Sequence, residues 1–494
     1  MAERVGGRVV ATAAGFLAAG LVGLPSGAAA TPVATAPAAP APTAGEWWWT
    51  AMGVDELHAQ GRGKGVEVAV IDGPIDPDVP DLAGKVASST TECLDPAAVS
   101  TPRPRSSRLA GPDAEHATSM AGLIAGTGRG TGPGGRGLRG IAPEATIRHY
   151  AVLFADAKAE DGYACGIDFP DGDDVDRAVG RAIAAAAKDG ADVINVSLVT
   201  GYSQEIEDGL LAAYRAGAVV VAGTGNARGR TEWPGIGNGV VLVNPVGQDG
   251  LTPDFAAKSP YVALAAPGED VMAGSYDESG WRSASTASGS SVATALVSGG
   301  IAALWSAHPE ATAGQVLAAV KDNVGLRAKD SGGFETWFRR VGTGLPSVKS
   351  ANDLYGWGIF DPADAVAADV TSLPTENPFV RADDPVNGPD PAAIAAATAG
   401  SSPAPSATAS ASAPAASPSA TTSAAAPRSE DSEGSTLPLV LGGLAVLVLA
   451  GGVAVAVRRR ASPSAGADPH PSVEGPTEHT TPIEGADGAD RRTR

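Results

Sequence analysis

Between Val66 and Val246 the chain repeats one pattern: a short, almost wholly apolar run, then a longer polar-apolar stretch. The apolar runs are "VEVAVID" (Val66–Asp72), "TIRHYAVL" (Thr146–Leu153), "DVINVSL" (Asp192–Leu198), "AVVVAGTG" (Ala218–Gly225) and "GVVLVNPV" (Gly239–Val246). Runs this short and rich in Val and Ile read as strands buried on both faces. Two of the intervening stretches, Asp173–Gly190 and Ser203–Gly217, carry helical periodicity and stop at glycine. Thr312 and Gln315 make a candidate capping box for a further helix after Pro309. Strands alternating with helices predict an α/β fold, a parallel sheet covered by helices on both faces. In such sheets functional residues collect beyond the carboxyl ends of the strands.

The rest of the chain frames this domain. Arg4 and Arg8 precede an apolar segment, Val9–Leu24, and small residues run to Ala30, so 1–30 reads as a secretory signal peptide. Residues 31–45 form a Pro/Ala linker and 46–367 the folded domain. Residues 368–435 are expected to form a stalk; from Ala395 onward they are mostly Ala, Ser, Pro and Thr, too polar and small to offset ordering entropy. From Leu437 to Val457 no charge occurs, and Arg458–Arg460 follow. That is a transmembrane helix with a stop-transfer signal, which places 458–494 in the cytoplasm and the domain outside it. Two cysteines, Cys93 and Cys165, lie in the exported part and are candidates for a disulfide. They are too few for a metal site, and neither a metal nor a cofactor is expected. A net charge of −20 excludes nucleic acid as a partner.

Two residues sit where the strand-end rule expects function, and a third at a helix start. Asp72 ends the first apolar run and Asn226 follows the fourth. Ser291 falls in "GSSVATALVSG", at the start of a predicted helix running to about His308, where unsatisfied N–H groups favour negative charge. A serine hydroxyl needs a base, and the base an orienting carboxylate. Of the six histidines, His470 and His479 lie across the membrane from the domain. His308 is about five helical turns, ~25 Å, from Ser291. His149 belongs inside a buried strand and is assigned to the core or sheet edge; His58 lies in the polar N-terminal segment. His116 opens "HATSMAGLIAG", a small and apolar run that suits a buried helix, and elimination selects it.

The order Asp, His, Asn, Ser resembles the subtilisin family of serine proteases, as do five local motifs. These are "VAVIDGPIDPDVPDL", "EHATSMAGLIAG", "RGIAPEA", "ALAAPG" and "GSSVATALVSG". The likeness spans about Gly63 to Pro362 and implies a subtilisin-like peptidase domain. It implies roles too: Ser291 as nucleophile, His116 as general base, Asp72 as its orienting carboxylate, and Asn226 in the oxyanion hole. Ser197, Leu198, Val199 and Gly223 would line the substrate, a protein or peptide. The signal peptide, stalk, membrane helix and basic stop resemble the mycosins, membrane-anchored subtilisin-type proteases of type VII secretion. Too few residues separate Thr31 from Asp72 for the usual folded inhibitory propeptide, which also fits mycosins.

The family pattern is broken at several places near these residues. Gly73 stands where Ser or Thr is usual, Ala117 for glycine, Ser290 for threonine and Ala295 for proline. Val199 replaces a glycine, and Thr224 a small residue. The alternative reading is therefore a weakened or inactive subtilisin-fold scaffold within a secretion complex.

Overall fold

The computed structural model describes residues 45–95, 101, 103–155, 163–165, 174–229, 231–325, 353–384 and 386–399. The expected signal peptide, nearly all of the expected Pro/Ala linker, and the expected membrane helix and cytoplasmic tail lie outside the described residues.

Seven strands form one parallel sheet: β1 (Glu67–Asp72), β2 (Val86–Thr90), β3 (Thr146–Ala151), β4 (Val193–Val196), β5 (Val219–Gly223), β6 (Val241–Val246) and β7 (Leu264–Pro267). Their spatial order is β7-β6-β5-β4-β1-β3-β2. After β1 the chain builds toward one edge, then returns past β1 to build toward the other. The reversal leaves a crevice at the carboxyl end of β1, where ligands bind in sheets of this kind. Asp72 is the last residue of that strand and pairs with Ala151 of β3.

Successive residues of the central strands face opposite cores, as the pleat requires. Val68, Val70, Val219 and Val221 join one buried cluster, with helix α1 (Glu115–Ala125) and helix α4 (Ser290–Ala307). Ala69, Ile71, Val220 and Ala222 join the other, with α2 (Asp174–Lys188) and α3 (Gln204–Ala216). Helix α4 is long and apolar enough to cross a membrane, but 83% of it is buried in the protein, so it is the core helix of this domain. Gly217 ends α3 in the left-handed conformation, with φ 76°. The Thr312/Gln315 capping box forms at the start of the helix Ala313–Asp322.

Beyond the sheet, an antiparallel hairpin, β8 (Val271–Asp277) and β9 (Gly280–Ala287), leads into α4. Cys93 and Cys165 are joined in a disulfide, 72 residues apart in sequence. The N-terminal segment also folds onto the domain, burying Trp47, Trp48 and Trp49.

The folded part does not stop at Ala367. Val370 and Phe379 are buried in the first core, and a helix at Pro391–Thr398 packs Ile394 and Ala397 with Leu210, Ala213 and Tyr214 of α3 in the second. Asp390 caps this helix, accepting from the N–H groups of Ala392 (2.8 Å) and Ala393 (3.3 Å). Residues 368–384 and 386–399 are thus described with the domain, not as the stalk expected from 368. Composition misleads there because alanine serves a helix packed on a neighbour as readily as it serves a disordered tract.

Candidate active site

Strand β1 delivers Asp72 to the crevice, and α1 begins there with Glu115 and His116. The Nδ1–H of His116 donates to Asp72 Oδ1 at 2.8 Å and lies 2.9 Å from Oδ2. This fixes the tautomer that leaves Nε2 as the basic nitrogen. The Asp72 side chain is 2% exposed, whereas that of His116 is 49% exposed, so the imidazole joins a buried charge to solvent. Burial pulls the His116 pKa down, but the charge and hydrogen bond of Asp72, with the charge of Glu115, outweigh it. The pKa lies above the ordinary histidine value.

Asp72 is held from behind. The Gly73 N–H donates to Oδ1 at 2.6 Å. Gly73 lacks the hydroxyl usual at this position, and its backbone does the work. A Cβ there would lie 3.2 Å from the Leu153 carbonyl oxygen, a tight fit.

Ser291 is the second residue of α4. Its hydroxyl donates to the Ser197 carbonyl at 3.2 Å, and the Ser197 hydroxyl donates to the Ser291 carbonyl at 3.1 Å. This reciprocal clasp ties α4 to the end of β4. Asn195 stands behind it: its Nδ2 donates to Ser197 Oγ at 3.0 Å, while its Oδ1 accepts from Ser298 Oγ at 2.9 Å. No hydrogen bond joins Ser291 to His116 in this state. Catalytic hydrogen bonds are often unmade without substrate, and a serine Oγ swings between rotamers about one bond.

Asn226 approaches the same helix terminus. Its Oδ1 accepts the Ser290 N–H at 2.9 Å, which commits the amide's oxygen and orients its Nδ2 donors. Gly225, at φ 81°, makes the turn that brings Asn226 there. Gly223 lets β5 reach α4, since a Cβ on it would lie 3.0 Å from Ser290 Oγ and 3.1 Å from Thr294 Oγ1.

Leu198 is half-buried and Val199 exposed at the end of β4. A Val199 methyl lies 3.3 Å from where a Cβ on Gly225 would stand, so the valine closes part of the gap between the two strand ends. Ala117 and Ala295 are simply buried in the first core, and the methyl of Ala117 leaves the His116–Asp72 pair intact. The Thr224 hydroxyl, with no counterpart expected, donates to Asn244 Oδ1 at 2.9 Å. Asn244 in turn donates to the carbonyls of Ala257 (2.9 Å) and Leu354 (2.8 Å), which anchors the Asn226 loop. The sequence offered no sign of this pair beyond one asparagine in an apolar strand.

A parallel sheet of this order, with a carboxylate–imidazole pair and a serine at a helix start around its crevice, is the framework of a serine hydrolase. Residues 63–358 match the subtilase family, and the chain belongs to it: a serine protease of the subtilisin type. It is similar to Mycosin-1 of Mycobacterium tuberculosis, 28% identical over 381 residues, covering 67% of this chain and 75% of that protein. The crystal structure of fervidolysin from Fervidobacterium pennivorans, a keratinolytic enzyme related to subtilisin, matches with a TM-score of 0.50 at 23% identity. That match covers 66% of this chain and 46% of fervidolysin. MycP3 protease from the type VII (ESX-3) secretion system matches with a TM-score of 0.48 at 26% identity, over 67% of this chain and 90% of that one.

Proposed function

We propose that this chain is a membrane-anchored serine endopeptidase that hydrolyses peptide bonds outside the cytoplasm through Asp72, His116 and Ser291. The observation that carries the reading is the His116–Asp72 pair, with a buried carboxylate holding Nδ1–H of a half-exposed imidazole. Ser291 Oγ turns from the Ser197 carbonyl to attack the scissile carbonyl carbon, and His116 Nε2 takes its proton. Asn226 Nδ2 and the Ser291 N–H hold the oxyanion of the tetrahedral intermediate. His116 then protonates the leaving amine, and water attacking by the same route releases the acyl group.

The substrate strand lies along Ser197–Val199 beside Gly223. The likeness to Mycosin-1 and the predicted signal peptide and membrane helix support work at the cell membrane beside a type VII secretion system. The alternative, a scaffold without turnover, has in its favour the Ser291 hydroxyl bonded to Ser197 rather than to His116.

Cleavage of an unfolded protein substrate by the purified ectodomain decides between them. Activity abolished by Ser291→Ala, and reduced about 10²- to 10³-fold in kcat by Asn226→Ala, is the expected result. Equal cleavage by wild type and Ser291→Ala, or none by either, contradicts it.

A further inference from the structure

His149 lies in β3, paired on one side with Val70 of β1 and on the other with Ser89 of β2. It is completely buried. A histidine there is costly, and both its nitrogens are engaged. The Ser89 hydroxyl lies 2.9 Å from Nδ1, and Nε2 lies 2.8 Å from the Gly73 carbonyl oxygen. A carbonyl can only accept, so Nε2 carries the proton and Nδ1 accepts from Ser89. Gly73 is the residue whose N–H holds Asp72 Oδ1. His149 thus holds the peptide on the carboxyl side of the Gly73 Cα, while the peptide on its amino side, which carries the N–H that supports Asp72 and so His116, is held by the Val152 N–H on the Asp72 carbonyl at 2.8 Å.

We infer that His149 is a positioning residue of the catalytic triad. It fixes the Gly73 carbonyl, so that with Val152 on the Asp72 carbonyl both peptides flanking the Gly73 Cα are pinned and the Gly73 N–H stays aimed at the Asp72 carboxylate, in place of the side-chain hydroxyl that Gly73 lacks. Glycine is the least restrained residue at such a turn, and losing the bond on its carbonyl side loosens the N–H that steadies the carboxylate orienting His116. The role requires a proton on Nε2, and the Ser89 hydroxyl can donate to Nδ1 only while the ring is neutral. Burial is the main cause of that neutrality; it outweighs the Gly73 hydrogen bond and the charge of Asp72, Arg108 adds to it, and the pKa is lowered to about 4. Asp72, at the end of β1, and Arg108, in the segment before α1, are the charged groups acting on the ring; β2 presents the uncharged Ser89. This hold is thus intact across the range in which His116 titrates.

The inference rests on the peptidase reading, and its test keeps the two apart. The inactivation rate of the ectodomain by a fluorophosphonate is measured against pH and probe concentration for wild type, H149L and H149Q. Glutamine can both accept from Ser89 and donate to Gly73. H149L is expected to lower the maximal inactivation rate about tenfold or more, with probe affinity unchanged. Its pH midpoint should move down toward the ordinary histidine value, as Asp72 loosens its hold on His116. H149Q should stay within about threefold of wild type. Should leucine prevent folding, H149N replaces it: asparagine is too short to reach Gly73 and should behave as H149L. Folded H149L or H149N with the wild-type rate and midpoint overturns the inference and leaves the peptidase reading standing. Wild type that does not react at all overturns both.

Discussion

At the scale of single residues, the site depends on how one imidazole is held. His116 is half exposed and tied through Nδ1–H to a buried carboxylate, and its pKa is raised by that partner against the opposing effect of burial. In its proposed role as the base it must be neutral, so activity is expected to be low below this pKa and to rise as pH passes through it. The midpoint is expected above about 6.5, the ordinary histidine value. Asp72→Asn removes the charge and favours the wrong tautomer; the rate should fall about 10⁴-fold and the midpoint drop. A pH profile of hydrolysis for both proteins checks this, and a midpoint at or below the ordinary value in wild type would refute it. Several departures from the family pattern have local partners or simple burial behind them. Gly73 is served by its own amide, Thr224 by Asn244, and Ala117 and Ala295 by plain burial in the core.

At the scale of elements, what the sequence made legible is what carries a local signal. Strands β1, β4, β5 and β6 are continuous apolar runs, and α3 ends at a glycine that the structure puts in the left-handed region. Each strand begins or ends within a few residues of its expected bounds. Less legible were β2, an edge strand whose Ser88, Ser89 and Thr90 blur its alternation, and the serine-rich hairpin β8–β9. Asp72, His116, Asn226 and Ser291 could be picked out as candidates because strand ends and helix starts are local marks. The role inferred for His149 could not be found, because it exists only once β1 and β3 are side by side. The Pro391–Thr398 helix was hidden by its alanine-rich composition. Its burial makes a definite prediction: Ile394, 3% exposed, should cost about 2–5 kcal/mol of stability when changed to alanine. Denaturant unfolding of Ile394→Ala measures this; a change near zero would return the segment to the stalk.

At the scale of the whole molecule, the domain is a doubly covered sheet whose switch point opens a crevice, with loops tied down around it. The Cys93–Cys165 bond closes a long loop reaching from the segment after β2 to the segment before α2. In the chain-entropy picture it stabilises the fold by roughly 4 kcal/mol. Unfolding of the ectodomain with and without reductant should differ by about that amount, and indifference to reductant would mean that the bond constrains nothing. Outside the described residues lie the predicted signal peptide and membrane helix, which would place this crevice beyond the membrane, facing exported proteins.

In the proposed mechanism, distant parts of the chain make Ser291 a nucleophile. Intact-mass and peptide-level mass spectrometry of the ectodomain after treatment with a fluorophosphonate tests it most directly. One phosphonyl adduct per molecule is expected, located on Ser291, absent in Ser291→Ala and nearly absent in His116→Ala. An unmodified Ser291 in folded wild-type protein, or equal modification when His116 is removed, would contradict it.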